Sequence, residues 1–277
     1  MIFDCVTYSN NYQDLVLELR LNTLDKYVDK FVIVEATLDH AGNQKRLNFN
    51  INKFEKFKKK IRYIVVNDMP KNTESFYYNK SYWHKNIVRD EYQRNQIMRG
   101  LYDIKENDLV IISDCDEIPN LERLSEVKIK KFAVFNQKNY KYKFNLLCDN
   151  QTAHQGSRVI KAKYLSKKVT PQWLRYQYTK RIKFWQIHRL ITNPMVIENG
   201  GWHFSFALSP ENIKSKMESY AHGELITKKN TDINFIKEII EKRVDIFSNG
   251  KLTKVELDST FPEYILKNKE KFREFIL

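Results

Sequence analysis

Four runs rich in β-branched residues, IFDCVTY (2 to 8), KFVIVEA (30 to 36), IRYIVV (61 to 66) and DLVIISD (108 to 114), alternate with segments of helical spacing. The first two are too apolar on both faces for a sheet with one wet side, so they read as parallel strands covered above and below. Between them, Leu17, Leu21, Leu24 and Val28 step by four, three and four residues, which favours a helix over a strand, with Asp14 as its cap. A further helix is expected from about Trp83 to Leu101. Strand, helix, strand, helix, strand is the signature of a doubly wound α/β layer, whose ligands bind beyond the C-terminal strand ends. Glu35 and Asp114 both stand at such ends.

Beyond Pro119 the pattern changes. FAVFNQK, YKYKFNLL and SRVIKAKYL look like antiparallel strands, followed by the aromatic GGWHFSFA (200 to 207) and helical stretches at about 210 to 221, 232 to 248 and 261 to 277. No repeat or Pro/Gly-rich linker divides the chain. The expectation is one α/β domain over 1–277, its mostly parallel central sheet flanked by helices. Residues 1–119 would form a nucleotide-binding half, and 120–277 an antiparallel half with C-terminal helices that shapes a partner site.

With 42% hydrophobic and 13% aromatic residues in 277, the chain can build a packed core and disorder is excluded. No run approaches the roughly 18 apolar residues of a membrane span, and no signal peptide opens the sequence, so a cytoplasmic chain is expected. Cys5, Cys115 and Cys148 suggest neither disulfides nor zinc. A net charge of +14 allows nucleic acid, an anionic membrane surface or a phosphorylated substrate as partner. No nucleic-acid module accompanies it, so nucleic acid is not expected; peripheral contact with an anionic membrane stays open. The basic run NKFEKFKKKIRY (52 to 63) reads as the solvated face of an amphipathic helix.

The chemistry concentrates in DLVIISDCDEIPN (108 to 120), where Asp114, Asp116 and Glu117 crowd like charges that a bound cation would relieve. An EF-hand loop counted from Asp114 fails, because Ile118, Pro119 and Ser125 occupy its fifth, sixth and twelfth positions. A haloacid-dehalogenase-type phosphatase fits poorly, lacking a later adjacent acidic pair, and stands as the alternative enzyme. A basic glycan- or membrane-binding module is the alternative without catalysis. The third template is the D-x-D pair of nucleotide-sugar transferases, in which carboxylates hold Mn²⁺ or Mg²⁺ against a diphosphate.

That pair has company: FDCVTYSNNYQDLVLELRLNTLDKYVDKFVIVEATLDHAGNQKRLNF, DEYQRNQIMRGL, DLVIISDCDEIP, NGGWHFSFALSPENIKSKMES and YILKNKEKF follow in order. Their succession resembles glycosyltransferase family 17 over nearly the whole chain, most weakly from about 138 to 198. The resemblance implies a GT-A-like fold, a UDP-sugar donor such as UDP-GlcNAc, a divalent metal, a glycan acceptor and inversion at the anomeric carbon. Animal members carry an anchor and stem, whereas this chain starts at the catalytic block, so the acceptor is not carried over.

Under that resemblance Asp116 is the leading metal ligand and a catalytic residue. Asp114 bridges to ribose or a metal-bound water, and His203 completes the metal shell. Glu35, Arg20, Arg94 and Trp202 are candidates for holding the donor, and Glu224 is the candidate base, with Glu198 and Asp149 behind it. Each has a plainer alternative. Arg94 follows Glu91 by three residues and Arg20 lies near Glu18 and Asp14, the spacing of local ion pairs. Glu35 could pair with a lysine, and His203 and Trp202 could be core residues beside Gly200 and Gly201. The glycines would allow close approach of a ligand.

Overall fold

The computed structural model describes residues 1–70, 82–124, 128–178, 194–218 and 227–277. The expected alternation is realised as β1 (Ile2–Tyr8), α1 (Asp14–Leu24), β2 (Lys30–Ala36), β3 (Ile61–Val66), α2 (Tyr82–Asn95) and β4 (Leu109–Asp114). These strands run parallel in the order β3-β2-β1-β4, so the order reverses beside β1 and a crevice opens past its C-terminal end. The architecture is the expected α/β arrangement, with a mixed, mostly parallel central sheet flanked by helices.

Helices cover both faces. On one, α1 buries Val16, Leu17, Leu19, Leu21 and Leu24 against the sheet, together with Phe54, Phe57, Ile265 and Phe272. Each such leucine contributes about 2 kcal/mol by leaving water. On the other, Ile97, Leu101 and Leu174 pack against Phe3, Val32 and Val110. Asp14 is not the cap of α1. Asn10 caps the preceding turn Asn11–Gln13, its own N–H donating in return to Gln13 Oε1, and the Asp14 carboxylate instead accepts the Tyr8 hydroxyl at 2.6 Å.

The second half extends the same sheet through β5 (Glu117–Pro119), β6 (Phe132–Lys141), β7 (Leu146–Cys148) and β8 (Ala153–Lys161). Then come α3 (Pro171–Arg175), β9 (Met195–Ile197), β10 (Gly201–Ser205), α4 (Pro210–Glu218), α5 (Ile233–Glu241), β11 (Leu252–Lys254) and α6 (Glu263–Lys267). β6 pairs antiparallel with β7 and β8 as expected, and β8 antiparallel with β4, whereas β9 and β10 both run parallel to β6, so this half is antiparallel with two parallel additions. YKYKFNLL is not one strand: Tyr142 takes a φ of +65° and turns the chain between β6 and β7. The stretch 232–248 is helical only to Glu241, and Arg243 then adopts a φ of +53°. Residues 51–57 form a kinked 3-10 helix, and the three cysteines are free and buried. No helix among the described residues is long and apolar enough to cross a membrane.

Candidate active site

A cavity of about 350 Å³ lies past the ends of β1 and β4, lined by Thr7, Arg94, Asp114, Asp116, Arg175 and His203 among others. The alternation of D-C-D builds one wall. Cys115 turns into the core at 1% exposure, which leaves Asp114 and Asp116 on the cavity side.

The two aspartates have different partners. Asp114 Oδ1 accepts from Arg94 at 3.0 Å and Oδ2 from Arg175 at 2.9 Å. Burial and Glu117 push its carboxyl up, but the two guanidiniums outweigh them and hold it below the usual aspartate range. Like-charge crowding at this turn is thus relieved largely by arginine. Glu117 is buried and accepts from Arg175 and from His154, which carry its carboxyl well below the ordinary value against the effect of burial. Its Oε2 also accepts the Asp114 N–H at 3.0 Å, so Glu117 fixes the turn from beneath.

Asp116 is the open carboxylate. Oδ2 accepts from Lys216 of α4 at 2.9 Å, while Oδ1 faces His203 Nε2 at 3.8 Å, too far for a hydrogen bond. Burial, and then the neighbouring His154, lower the His203 pKa to about 4, so the imidazole is neutral at pH 7. Its ring stacks on His154 with centroids 4.3 Å apart, and its Nδ1 is buried with no hydrogen-bond partner among the described residues. A carboxylate oxygen and an unprotonated imidazole nitrogen at this separation can both reach one small divalent ion at roughly 2.1 Å. A divalent metal therefore fits Asp116 and His203. Asp114 does not fit as a third ligand here, because both its oxygens are held by arginine, and among the described residues no cluster of three His, Cys, Asp or Glu donors forms.

Several other sequence expectations change. Arg20 is fully buried: it donates to both oxygens of Asp4, to Ser113 Oγ and to the carbonyls of Asp114 and Glu117, so it braces the turn and does not reach the cavity. Arg94 does line the cavity, but its helical partner is Asp90, four residues back, and not Glu91, which accepts from the Tyr176 hydroxyl. Glu35 is fully buried and does not face the crevice. It accepts from Lys45 at 2.5 Å, Asn48 N–H at 2.8 Å, Phe49 N–H at 3.0 Å and Tyr63 OH at 2.7 Å, tying down the segment that carries Lys45 to the cavity. Glu35→Ala is accordingly expected to cost about 3 kcal/mol by orphaning these donors, measured as a lower denaturation midpoint.

Trp202 and His203 alternate along β10 and face opposite sides. Trp202 donates to the Thr260 carbonyl at 3.0 Å and lines a separate cavity of about 1000 Å³, away from the aspartates. Gly201, with a φ of +122°, serves the sheet rather than a ligand, since a Cβ there would meet the Ile118 carbonyl oxygen at 2.2 Å. Asp149 and Glu198 bond Thr253 and Asn136 outside the cavity, and Glu224 lies outside the described residues. Residues that sequence reasoning missed are Arg175, His154 and Lys216. Lys216 sits inside the family-like block ENIKSKMES, whereas Arg175 and His154 fall where the resemblance is weakest.

The sequence model of glycosyltransferase family 17 matches residues 1–277. The chain belongs to this family. A β-1,4-mannosyl-glycoprotein 4-β-N-acetylglucosaminyltransferase of Rattus norvegicus is 23% identical over 296 residues, covering 95% of this chain and 52% of that protein. The chain thus spans about half the length of the curated relatives it matches. Solved structures with partial likeness are an active-site mutant of LgtC (TM-score 0.34, 12% identity, 71% of this chain and 72% of that one) and apo GlyE of Streptococcus pneumoniae (TM-score 0.36, 11% identity, 71% and 45%). Membership of this family favours a sugar-transfer reading over the phosphatase and the non-catalytic module. The D-C-D turn at 114–116 lines the cavity on the side of β4.

Proposed function

We propose that this chain transfers GlcNAc from UDP-GlcNAc to a glycan hydroxyl with inversion, in a reaction that depends on Mn²⁺ or Mg²⁺. The supporting observation is the convergence of Asp116 and His203, 87 residues apart in sequence, at 3.8 Å across one cavity wall beside Arg94, Arg175 and Lys216. When bound, the cation would neutralise the diphosphate and aid its departure. Asp116 and His203 would hold it, while Arg94, Arg175 and Lys216 present charge to the phosphate oxygens without reorganising as the sugar leaves. Their attachment to Asp114, Asp116 and Glu117 fixes where that charge sits. Inversion needs a base on the acceptor side, and Glu224 keeps that role in this proposal; Glu224→Gln should lower kcat with little change in donor affinity.

The direct test is thermal. UDP-GlcNAc with Mn²⁺, at about a hundred times its dissociation constant, should raise Tm by roughly 5 °C through mass action, and more than either component alone. Absence of any rise with uridine nucleotides, alongside a rise with another nucleotide sugar, would replace the donor assignment.

A further inference from the structure

We infer that the pole of the molecule opposite the catalytic cavity is a docking surface for an anionic lipid bilayer. Because β8 runs antiparallel to β4, and β6 antiparallel to β8, Lys161 and Lys131 lie at the end where β4 begins. That end is roughly 17 Å along the strand from Asp114. The Lys161 N–H donates to the Lys131 carbonyl at 3.1 Å, which places these two residues side by side. Lys128 and Lys130 flank the buried Ile129 just before β6. Lys163 follows Lys161 in a 3-10 turn, and Lys167 and Lys168 occupy the next turn, closed by the Ser166 N–H to the Val169 carbonyl at 3.1 Å.

All seven lysines except the half-buried Lys161 are exposed, and among the described residues none has a carboxylate within 4.0 Å. The run at 53–60, which is the denser cluster in sequence, behaves oppositely: Lys53, Lys56, Lys58 and Lys60 pair with Asp14, Asp25, Glu55 and Asp25. Uncompensated positive charge therefore gathers at this pole through folding. The acidic neighbours are mostly engaged elsewhere, since Asp108 holds the N-terminal ammonium and Asp103 holds Arg62. Among the described residues Glu106 remains, beside Lys163.

The chemistry favours lipid headgroups over nucleic acid. Every cation of the cluster is lysine, a hydrated point charge suited to diffuse attraction by an anionic surface, and the neighbouring Arg62 has its fork closed on Asp103 rather than open to phosphate or base edges. Tyr164 and Trp173, aromatic rings of this pole, already carry ammonium groups, with Lys131 Nζ 5.6 Å and 5.9 Å from their centroids and Lys163 Nζ 5.4 Å from that of Tyr164. They are poor platforms for stacking bases. Docking by this pole would turn the catalytic cavity toward the aqueous side.

The test is flotation of the full chain with vesicles of pure phosphatidylcholine or with about 30% phosphatidylserine, at several salt concentrations. Binding should need the anionic lipid and fade as salt rises, and Lys131→Glu, Lys163→Glu, Lys167→Glu and Lys168→Glu together should weaken partitioning roughly 100-fold or more. Donor hydrolysis in solution and Tm should stay as in the unaltered chain. Binding that ignores lipid charge, or that survives the four reversals, overturns the proposal. So does stronger retention by a short DNA duplex than by anionic vesicles at equal ionic strength. The salt series on the unaltered protein decides the same question should the variant misfold.

Discussion

Asp116→Ala is expected to lower transfer by on the order of 10²–10³-fold or more while moving Tm by only a few degrees, because it removes a charge-holding group from a preorganised site. Oδ1 of this carboxylate faces His203 and Oδ2 anchors Lys216, so one substitution removes both the candidate metal ligand and the tether of a phosphate-facing cation. The stability cost is small because Asp116 gives up a single ion pair, with Lys216, and although the two side chains are only 15% and 17% exposed, both line the cavity, where water can solvate the freed ammonium. Chelation of divalent ions should reproduce the activity loss in the unaltered chain. Asp114→Ala should behave differently. It strips one of the two carboxylates that each of Arg94 and Arg175 holds, leaving Asp90 and Glu117, so stability and activity should fall together. Steady-state kinetics and denaturation on both variants separate the roles, and turnover within about ten-fold of normal in Asp116→Ala would remove this residue from the mechanism.

The parallel half of the fold is legible because its signals are local. The apolar runs of β1, β2 and β4 and the spacing in α1 and α2 each lie within one short window. The second half is less so, since β9 and β10 join β6 in parallel from far along the chain, and no periodicity encodes that pairing. The site divides the same way. Asp114 and Asp116 announce themselves as adjacent charges at a strand end. Arg175 does not, because its meaning depends on α3 bringing it against Asp114 and Glu117, 61 and 58 residues away. Arg20, Glu35 and Trp202 look like ligand-binding groups because their side-chain types suit a phosphate, a hydroxyl and a sugar face, yet each is satisfied from within the fold. Burial separates Glu35 from Asp116, and sequence does not show burial.

Arg20→Met should be the most destabilising of these changes, costing about 3–5 kcal/mol and lowering Tm by about 6–15 °C. All five N–H donors of this guanidinium are engaged, two on Asp4 at 2.5 Å and 2.7 Å, one more on Ser113 Oγ at 2.9 Å, and the others on the carbonyls of Glu117 at 2.5 Å and Asp114 at 3.3 Å. Burial opposes its charge, but the Asp4 carboxylate more than compensates and raises its pKa. The substitution leaves Asp4, 1% exposed, as an unpaired buried carboxylate. A second substitution, Asp4→Leu, removes that charge as well and should recover much of the lost stability, because a buried ion pair replaced by apolar groups is often neutral. Activity should not recover with it. Ser113 and the carbonyls of the D-x-D-E turn would still lack the donor that sets their position, so the double variant should be folded but slow, with kcat reduced more than donor affinity. Arg20→Lys keeps the charge without the planar fork and should fall between. A double variant that regains both stability and full turnover would show that Arg20 supports the fold alone and leaves the geometry of Asp114 and Asp116 to other contacts.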